Sequence, residues 1–278
     1  MKLVKDNNKE ASNKFKVSDK EAEEAIQKIL TWIGEDPTRE GLLETPKRVV
    51  KAFKEYFKGY HQDAEEDLSK TFGDVEGYDD MVVEKNTSKS PKVSDKEAEE
   101  AFKTILTWIG ENPKREGLIE TPRRVVKAFK EYFKGYHQNA EADLSKTFGD
   151  VEGYDDMVVE KNITLESHCE HHMAPIIGVA HVAYIPNKKV VGLSKLARTV
   201  EVFSKRLQTQ ERLTMQIAST LMKALDAKGV AVTIDAAHQC MTMRGIKKEK
   251  ATTVTNYFLG SFKEDLSIQN RYLSYLSK

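Results

Sequence analysis

The sequence predicts an α+β protein in which a duplicated helical region precedes two long helices packed on an antiparallel sheet. Three patterns indicate this class. A 70-residue segment occurs twice, apolar residues recur at helical spacing within each copy, and runs rich in β-branched and aromatic residues appear in the C-terminal part. With 278 residues, 39% of them hydrophobic, the chain is long enough to bury a core.

The repeat defines the predicted domain organisation. Residues 17–86 and 93–162 align without gaps and are identical at 61 of 70 positions, which is typical of a recent duplication. We expect five segments in chain order. These are a disordered tail (1–16), an extra copy of the helical region (17–86), a polar linker (87–92), the second copy (93–162) and a sheet domain (163–278).

Each copy is predicted to form helix, loop, helix. In the second copy, Ser94 and Glu97 have the spacing of a capping box, and Thr121 precedes Pro122 as an N-cap precedes proline at the first helical position. An extended run begins at Met157. Further strands are predicted over 176–185, 230–234 and 252–262, and two helices lie within 194–227.

Charge and composition exclude several functional classes. The 44 Lys and Arg residues balance 44 Asp and Glu residues, so no basic excess indicates a nucleic-acid partner. No run of about 18 apolar residues predicts a membrane span, and the N-terminus lacks the apolar segment of a secretory signal. We therefore expect a cytoplasmic protein with neither nucleic acid nor membrane as partner.

A cluster of cysteine and histidine residues predicts a metal site. Cys169 and His172 are spaced to converge on one ion, and Cys240 supplies a second thiolate. Three such ligands favour Zn²⁺ with a fourth position for water, while the adjacent His171 and His238 could transfer protons. Two alternatives stay open from the residues alone: buried structural cysteines, or a Cys169–Cys240 disulfide.

Two further stretches suggest substrate contacts. Ser194 is a predicted helix N-cap, and Lys195 and Arg198 lie on one face of that helix, which together would attract an anion. Glu211 could accept hydrogen bonds from the N1–H and amino group of guanine. The plainer interpretations are a solvated helix end and a surface carboxylate.

Taken together, four motifs resemble the GTP cyclohydrolase I family. They span residues 166–172, 192–198, 208–213 and 238–245, and the segment 120–124 is similar to the family's helical region. The resemblance covers roughly residues 93–262. It implies a T-fold-like catalytic domain over 163–278, with a four-stranded antiparallel sheet backed by two long helices. It also implies subunits that assemble as homodecamers of two pentamers, with active sites between subunits.

The resemblance also implies an activity and roles for individual residues. GTP would be converted to 7,8-dihydroneopterin triphosphate and formate, the first step of tetrahydrofolate biosynthesis. Zinc would be held by Cys169, His172 and Cys240. The catalytic residues would be His171, His238 and Ser194, and guanine would be recognised by Gln210 and Glu211. The triphosphate or ribose would be contacted by Ser194, Arg124, Lys195, Arg198 and Arg244.

One feature departs from the family pattern. The helical region is present twice, whereas the predicted catalytic part is present once. Two rival functions therefore remain at this level. One is a non-catalytic assembly or GTP-binding protein, and the other is a nitrile reductase that uses a cysteine nucleophile and a nicotinamide cofactor.

Overall fold

The computed structural model describes residues 17–61, 93–144, 154–187 and 190–277. The predicted tail (1–16) and linker (87–92) lie outside these ranges. The chain divides into two compact units, Met1–Glu131 and Tyr132–Lys278, so the second unit contains the end of the second copy as well as residues 163–278. None of the helices in the described ranges combines the length and the apolar character needed to cross a bilayer.

Both copies form the predicted helix, loop, helix in the part of the chain that the structure describes. The first copy contains α1 (Asp19–Ile33) and α2 (Thr45–Tyr56), and the second contains α3 (Asp95–Trp108) and α4 (Thr121–Tyr132). Short 3-10 turns occupy Glu40–Leu42 and Lys58–His61.

The helix starts follow from local hydrogen bonds. The backbone N–H of Glu97 donates to Ser94 Oγ at 3.3 Å, and the Ser94 N–H donates to the Glu97 carboxylate at 2.8 Å, which confirms the capping box. The predicted N-cap at Thr121 is wrong. Thr121 is the first residue of α4, and its hydroxyl donates to the Gly117 carbonyl, in the loop before the helix, at 3.5 Å.

The second unit contains the sheet and the remaining helices. Its elements are a 3-10 turn (Lys134–His137), α5 (Ala140–Leu144), β1 (Val158–Cys169), β2 (Pro175–Ile185), α6 (Leu193–Ser204), β3 (Leu207–Gln208), α7 (Gln210–Leu225), β4 (Gly229–His238), α8 (Gln239–Thr242), β5 (Thr253–Gly260), α9 (Ser261–Glu264) and α10 (Leu266–Leu276). These elements confirm the α+β class.

The sheet has five strands rather than the four expected, in the order β3-β1-β2-β4-β5. The pairs β1–β2, β2–β4 and β4–β5 are antiparallel. The additional strand is β3, which pairs in parallel with the last two residues of β1. It forms because the chain between α6 and α7 runs past the end of β1 in an extended conformation.

The two faces of the sheet bury different helices. On one face, α6 packs on β1 and α7 packs on β4 and β5, with Leu196, Leu213 and Ile217 fully buried. On the opposite face, α9 and α10 contribute Phe262 and Tyr272. The Tyr272 hydroxyl donates to the His181 carbonyl, and burial raises the pKa of that hydroxyl. Sequence reasoning did not predict α9 or α10.

Candidate metal centre and active site

The predicted metal ligands lie together where strands β1 and β4 end. Cys169 is the last residue of β1, His172 lies in the turn that follows, and Cys240 lies in α8 directly after β4. Strand β2 lies between β1 and β4 and is antiparallel to both. β1 and β4 therefore run in the same direction, and their C-terminal ends lie at the same end of the sheet. The ligand atoms of Cys169, His172 and Cys240 all lie within 4.8 Å of one another.

The turn after β1 places His172 beside Cys169. The Cys169 N–H donates to the Ala174 carbonyl at 2.8 Å, and the Met173 N–H donates back to the Cys169 carbonyl at 2.8 Å. Met173 adopts a left-handed φ of 52°, which closes this tight turn. The result is a separation of 4.0 Å between Cys169 Sγ and His172 Nδ1.

This donor set fits a zinc ion. Tetrahedral zinc, with bonds of about 2.3 Å to sulfur and 2.0 Å to nitrogen, keeps its ligand atoms about 3.5–3.8 Å apart. The separation of 4.0 Å between Cys169 Sγ and His172 Nδ1 is close to this spacing, and all three ligand atoms lie within 4.8 Å of one another. The pKa of the Cys240 thiol is lowered, first by its hydrogen bond with Cys169 and also by the charge of Arg244, which favours the thiolate that a metal binds.

His238 is held by a buried amide. Its Nε2 lies 2.8 Å from Gln210 Oε1, and Gln210 is 1% exposed. The amide nitrogen of Gln210 donates to the carbonyls of Ile234 and Thr253 at 3.1 and 2.7 Å, and to the Thr255 hydroxyl at 3.2 Å. Gln210 therefore ties the first residue of α7 to β4, β5 and His238. Nothing in its spacing from His238 indicated this contact.

An ion pair between a buried carboxylate and a half-buried arginine lies next to the metal ligands. Glu170 is 5% exposed, and one of its carboxylate oxygens is 3.7 Å from Arg212 Nη1. Sequence reasoning did not assign either residue, although an acid between Cys169 and His171 was a signal for such a partner. The neighbouring Glu211, by contrast, is exposed at the start of α7.

The histidines of the cluster occupy different environments. His171 is half-buried, with its ring centre 6.3 Å from that of His172. His168 packs against the rings of Tyr132 and Phe133 at 5.2 and 5.1 Å. Burial, assisted by the charge of Lys205, lowers the pKa of His168 to about 4, so this ring is neutral near pH 7.

The predicted phosphate-binding residues form a second group, on α6. Ser194 and Arg198 are exposed and Lys195 is half-buried. The predicted N-cap role of Ser194 is wrong, because the helix begins at Leu193 and Gly192 occupies the N-cap position. Arg198 lines a shallow groove of about 360 Å³ that also contains Glu166, Glu201 and Lys205.

The two remaining predicted arginines lie in different units. Arg244 is buried close to Cys240 in the second unit. Arg124 is exposed on α4 of the first unit.

Comparison with known proteins identifies relatives for most of the chain. The profile of the GTP cyclohydrolase I family matches residues 22–90 and 98–277, which include parts of both helical copies. The chain is 80% identical over 200 residues to GTP cyclohydrolase 1 of Pelagibacter ubique, covering 71% of this chain and 99% of the relative. It is 54% identical over 187 residues to GTP cyclohydrolase 1 of Maricaulis maris, covering 67% of this chain and 91% of the relative.

Among solved structures, the apo archaeosine synthase QueF-Like matches at 19% identity and a TM-score of 0.30, covering 37% of this chain and 93% of its own. The family assignment rests instead on the profile and on the sequence relatives, which span more than two thirds of this chain in the two cases above. The chain therefore belongs to the GTP cyclohydrolase I family of enzymes.

Proposed function

We propose that this enzyme uses zinc to convert GTP and water into 7,8-dihydroneopterin triphosphate and formate, as the first step of tetrahydrofolate biosynthesis in the cytoplasm. The observation that supports zinc dependence most directly is the convergence of Cys169, His172 and Cys240 within 4.8 Å. Family membership supports the substrate and the reaction.

Cys169, His172 and Cys240 would hold the zinc ion. A bound zinc ion supplies Lewis-acid chemistry, which lowers the pKa of a water in the position that the protein leaves open. Arg244 lies close enough to lower the pKa of the Cys240 thiol and so favours the charge state that ligation requires. The Glu170–Arg212 pair would help to fix the turn that carries His172.

His171 and His238 would move protons. The Gln210 amide nitrogen donates elsewhere, so its oxygen faces His238 and can only accept. The proton of neutral His238 therefore resides on Nε2, and Nδ1 is the nitrogen that takes up and releases a proton. We assign the protonation of the purine to His171 and the later steps, after the ring has opened, to His238.

The guanine and the phosphates would be bound at two separate places. The exposed carboxylate of Glu211 offers two oxygens to the N1–H and amino group of guanine. Gln210, which we also assign to guanine recognition, already uses its amide within the chain, so its effect would pass through the position of α7 and His238. Contacts with triphosphate and ribose are assigned to Ser194, Arg124, Lys195, Arg198 and Arg244, four of them cationic.

We also propose the assembly that the family resemblance implies. Residues 163–278 would form the T-fold catalytic domain, preceded by helical regions over 17–86 and 93–162. Subunits would form homodecamers of two pentamers with active sites between subunits.

The proposal is tested with protein purified under reducing conditions, in which zinc is quantified before incubation with GTP. We expect stoichiometric zinc and equal amounts of formate and pterin. The Cys169→Ser variant should lose zinc and at least ~100-fold in turnover, because even partners of zinc ligands are worth about 10–100-fold. His137→Gln, on an exposed turn, is the matched control and should retain both.

Three results would reject specific parts of this proposal. Full turnover by Cys169→Ser would reject the ligand assignment. Products from zinc-free protein would reject zinc dependence. Zinc without products would reject the reaction, and nicotinamide-dependent reduction of a nitrile would then identify the rival chemistry.

A further inference from the structure

The two helical copies pack against each other with reciprocal hydrogen bonds. The indole Nε1 of Trp32, in α1, donates to Asp95 Oδ1 at 3.2 Å. Trp108, the equivalent tryptophan in α3, donates to Asp19 Oδ1 at 3.0 Å. Each helix thus offers the tryptophan of its last turn to the aspartate that begins the other helix. The two bonds fix an antiparallel alignment of α1 and α3.

Each acceptor is held in the same way within its own copy. Lys54 Nζ lies 2.5 Å from Asp19, and Lys130 Nζ lies 2.5 Å from Asp95. Because a carboxylate accepts several hydrogen bonds, each aspartate can bind its own lysine and the tryptophan of the other copy at once. The contact is therefore made by equivalent atoms on both sides.

The apolar residues between these bonds are also equivalent. Ala25 and Ala101 are each 4% exposed, and both line one groove of about 420 Å³ between the two helices. The groove is bordered by acidic residues from both helices, including Glu24 and Glu100. Small residues at the same position of each copy allow the two helix backbones to approach closely.

Such reciprocity is the property of an isologous interface, in which one surface patch binds a second copy of itself. We propose that this helix face is a self-pairing surface, and that the first copy occupies it within the chain in place of a second chain. The proposal does not depend on the reaction catalysed. It assigns the duplicated segment a role, which is to make a contact between copies intramolecular and so independent of protein concentration.

The two copies differ in the partner of one equivalent tyrosine. In the first copy, the Tyr60 hydroxyl donates to Glu111 Oε1 of the second copy at 2.5 Å. The equivalent Tyr136 instead accepts a hydrogen bond from the Leu207 N–H at 2.8 Å in the second unit. The copy that lacks a sheet of its own therefore uses this tyrosine to strengthen the contact with its twin.

Tryptophan fluorescence tests the pairing, because both tryptophans of the chain lie at this contact. In a Trp32→Phe background, the emission reports Trp108 alone. Adding Asp19→Ala should shift that emission, since it removes the carboxylate acceptor. The matched control, Asp95→Ala in the same background, removes the equivalent aspartate without touching the acceptor of Trp108, and should leave the emission unchanged. Equal responses to the two substitutions would overturn the proposed pairing.

Sedimentation tests the self-pairing. Ala25→Glu places a carboxylate among the acidic residues of the groove and should release the first copy while leaving α3 intact. Two chains would then pair through α3, with Trp108 of each meeting Asp95 of the other, and the mass of the assembly should at least double. The double variant Ala25→Glu/Ala101→Glu carries the same charge on both faces and should not double.

Two outcomes would overturn the proposal: an unchanged mass for folded Ala25→Glu, or a doubled mass for the double variant. Circular dichroism establishes folding. If Ala25→Glu does not fold, Asp19→Ala/Trp32→Ala replaces it, because this pair removes the first copy's share of both hydrogen bonds without adding a charge. An unchanged mass for folded Asp19→Ala/Trp32→Ala would then overturn the proposal. A doubled mass for Asp19→Ala/Trp32→Ala/Ala101→Glu would also overturn it.

Discussion

Replacing Gln210 by leucine should destabilise the second unit strongly, although the sequence assigned this residue only to substrate binding. The side chain is 1% exposed. Its two N–H protons are shared among three acceptors, two strand carbonyls and the Thr255 hydroxyl, and its oxygen accepts from His238 Nε2, which amounts to three full hydrogen bonds. Leucine has a similar size, so the main loss is polar. At about 0.5–1.5 kcal/mol for each bond, we expect a loss of roughly 1.5–4.5 kcal/mol in the free energy of unfolding.

The matched control for this substitution is Gln216→Leu on the same helix. Gln216 is half-buried, and its amide oxygen accepts one hydrogen bond, from Gln208 at 3.0 Å. Urea unfolding followed by circular dichroism, at one fixed protein concentration, should show a shift about three times smaller for this control. If both variants shift the midpoint equally, the Gln210 network does not stabilise the sheet as described.

Three further predictions use other features of the two units. Gly178→Ala should lower the free energy of unfolding by more than about 2 kcal/mol, because the added Cβ would lie 2.1 Å from a carbonyl oxygen of β4. Gly59→Ala is the control, because open space surrounds that residue. In thermal unfolding this control should be neutral or stabilising. Tyr136→Phe should cost about 1–3 kcal/mol, because it leaves the first N–H of β3 without its partner, and the half-exposed Tyr60→Phe should cost less in the same urea assay. Burial lowers the pKa of His181 below its usual 6.5. Between the two pKa values, the unfolded chain binds a proton at this residue and the folded chain does not. The free energy of unfolding should therefore fall as the pH drops below about 6.5. His181→Asn keeps an acceptor for the Asn162 N–H, which donates to His181 Nδ1. This variant should reduce the pH dependence of unfolding measured from pH 7 to 5, and the part that stays comes from His168, whose pKa is also lowered. An unchanged slope would contradict the assignment to His181.

The metal cluster was predictable from sequence because its information is local. Cys169 and His172 lie within one turn, and sulfur and nitrogen donors have few chemical roles together. The contact between Gln210 and His238 was not predictable, because it depends on how α7 begins over the ends of β4 and β5. Residue spacing along the chain carries no record of that geometry.

Two of the elements that were not predicted, β3 and α10, were missed for different physical reasons. β3 has two residues, too few to show any alternation of apolar and polar side chains. α10 did carry a signal, since Asp265 caps the helix and Ile268, Tyr272 and Leu276 recur every four residues. The five-stranded sheet and the second helical face therefore emerged only from the structure.

The pairing of the two copies lay between these cases. An amphipathic face in need of a partner was evident from the repeat, and near-identity of the copies allowed a symmetric contact. Which residues would meet was not evident. The alignment depends on Trp32 and Trp108 each reaching the aspartate that begins the helix of the other copy.

The near-identity of the two copies also creates an ambiguity for the folding chain. Helix α1 could close a hairpin with α4 almost as well as with α2, because the contacting residues are nearly the same. Chain connectivity decides between them, since 11 residues join α1 to α2 and 87 separate α1 from α4. The difference in loop-closure entropy is about 1.8 kcal/mol, or roughly twentyfold. On that basis a few per cent of refolding chains would close the exchanged hairpins and would have to open again before reaching the native arrangement.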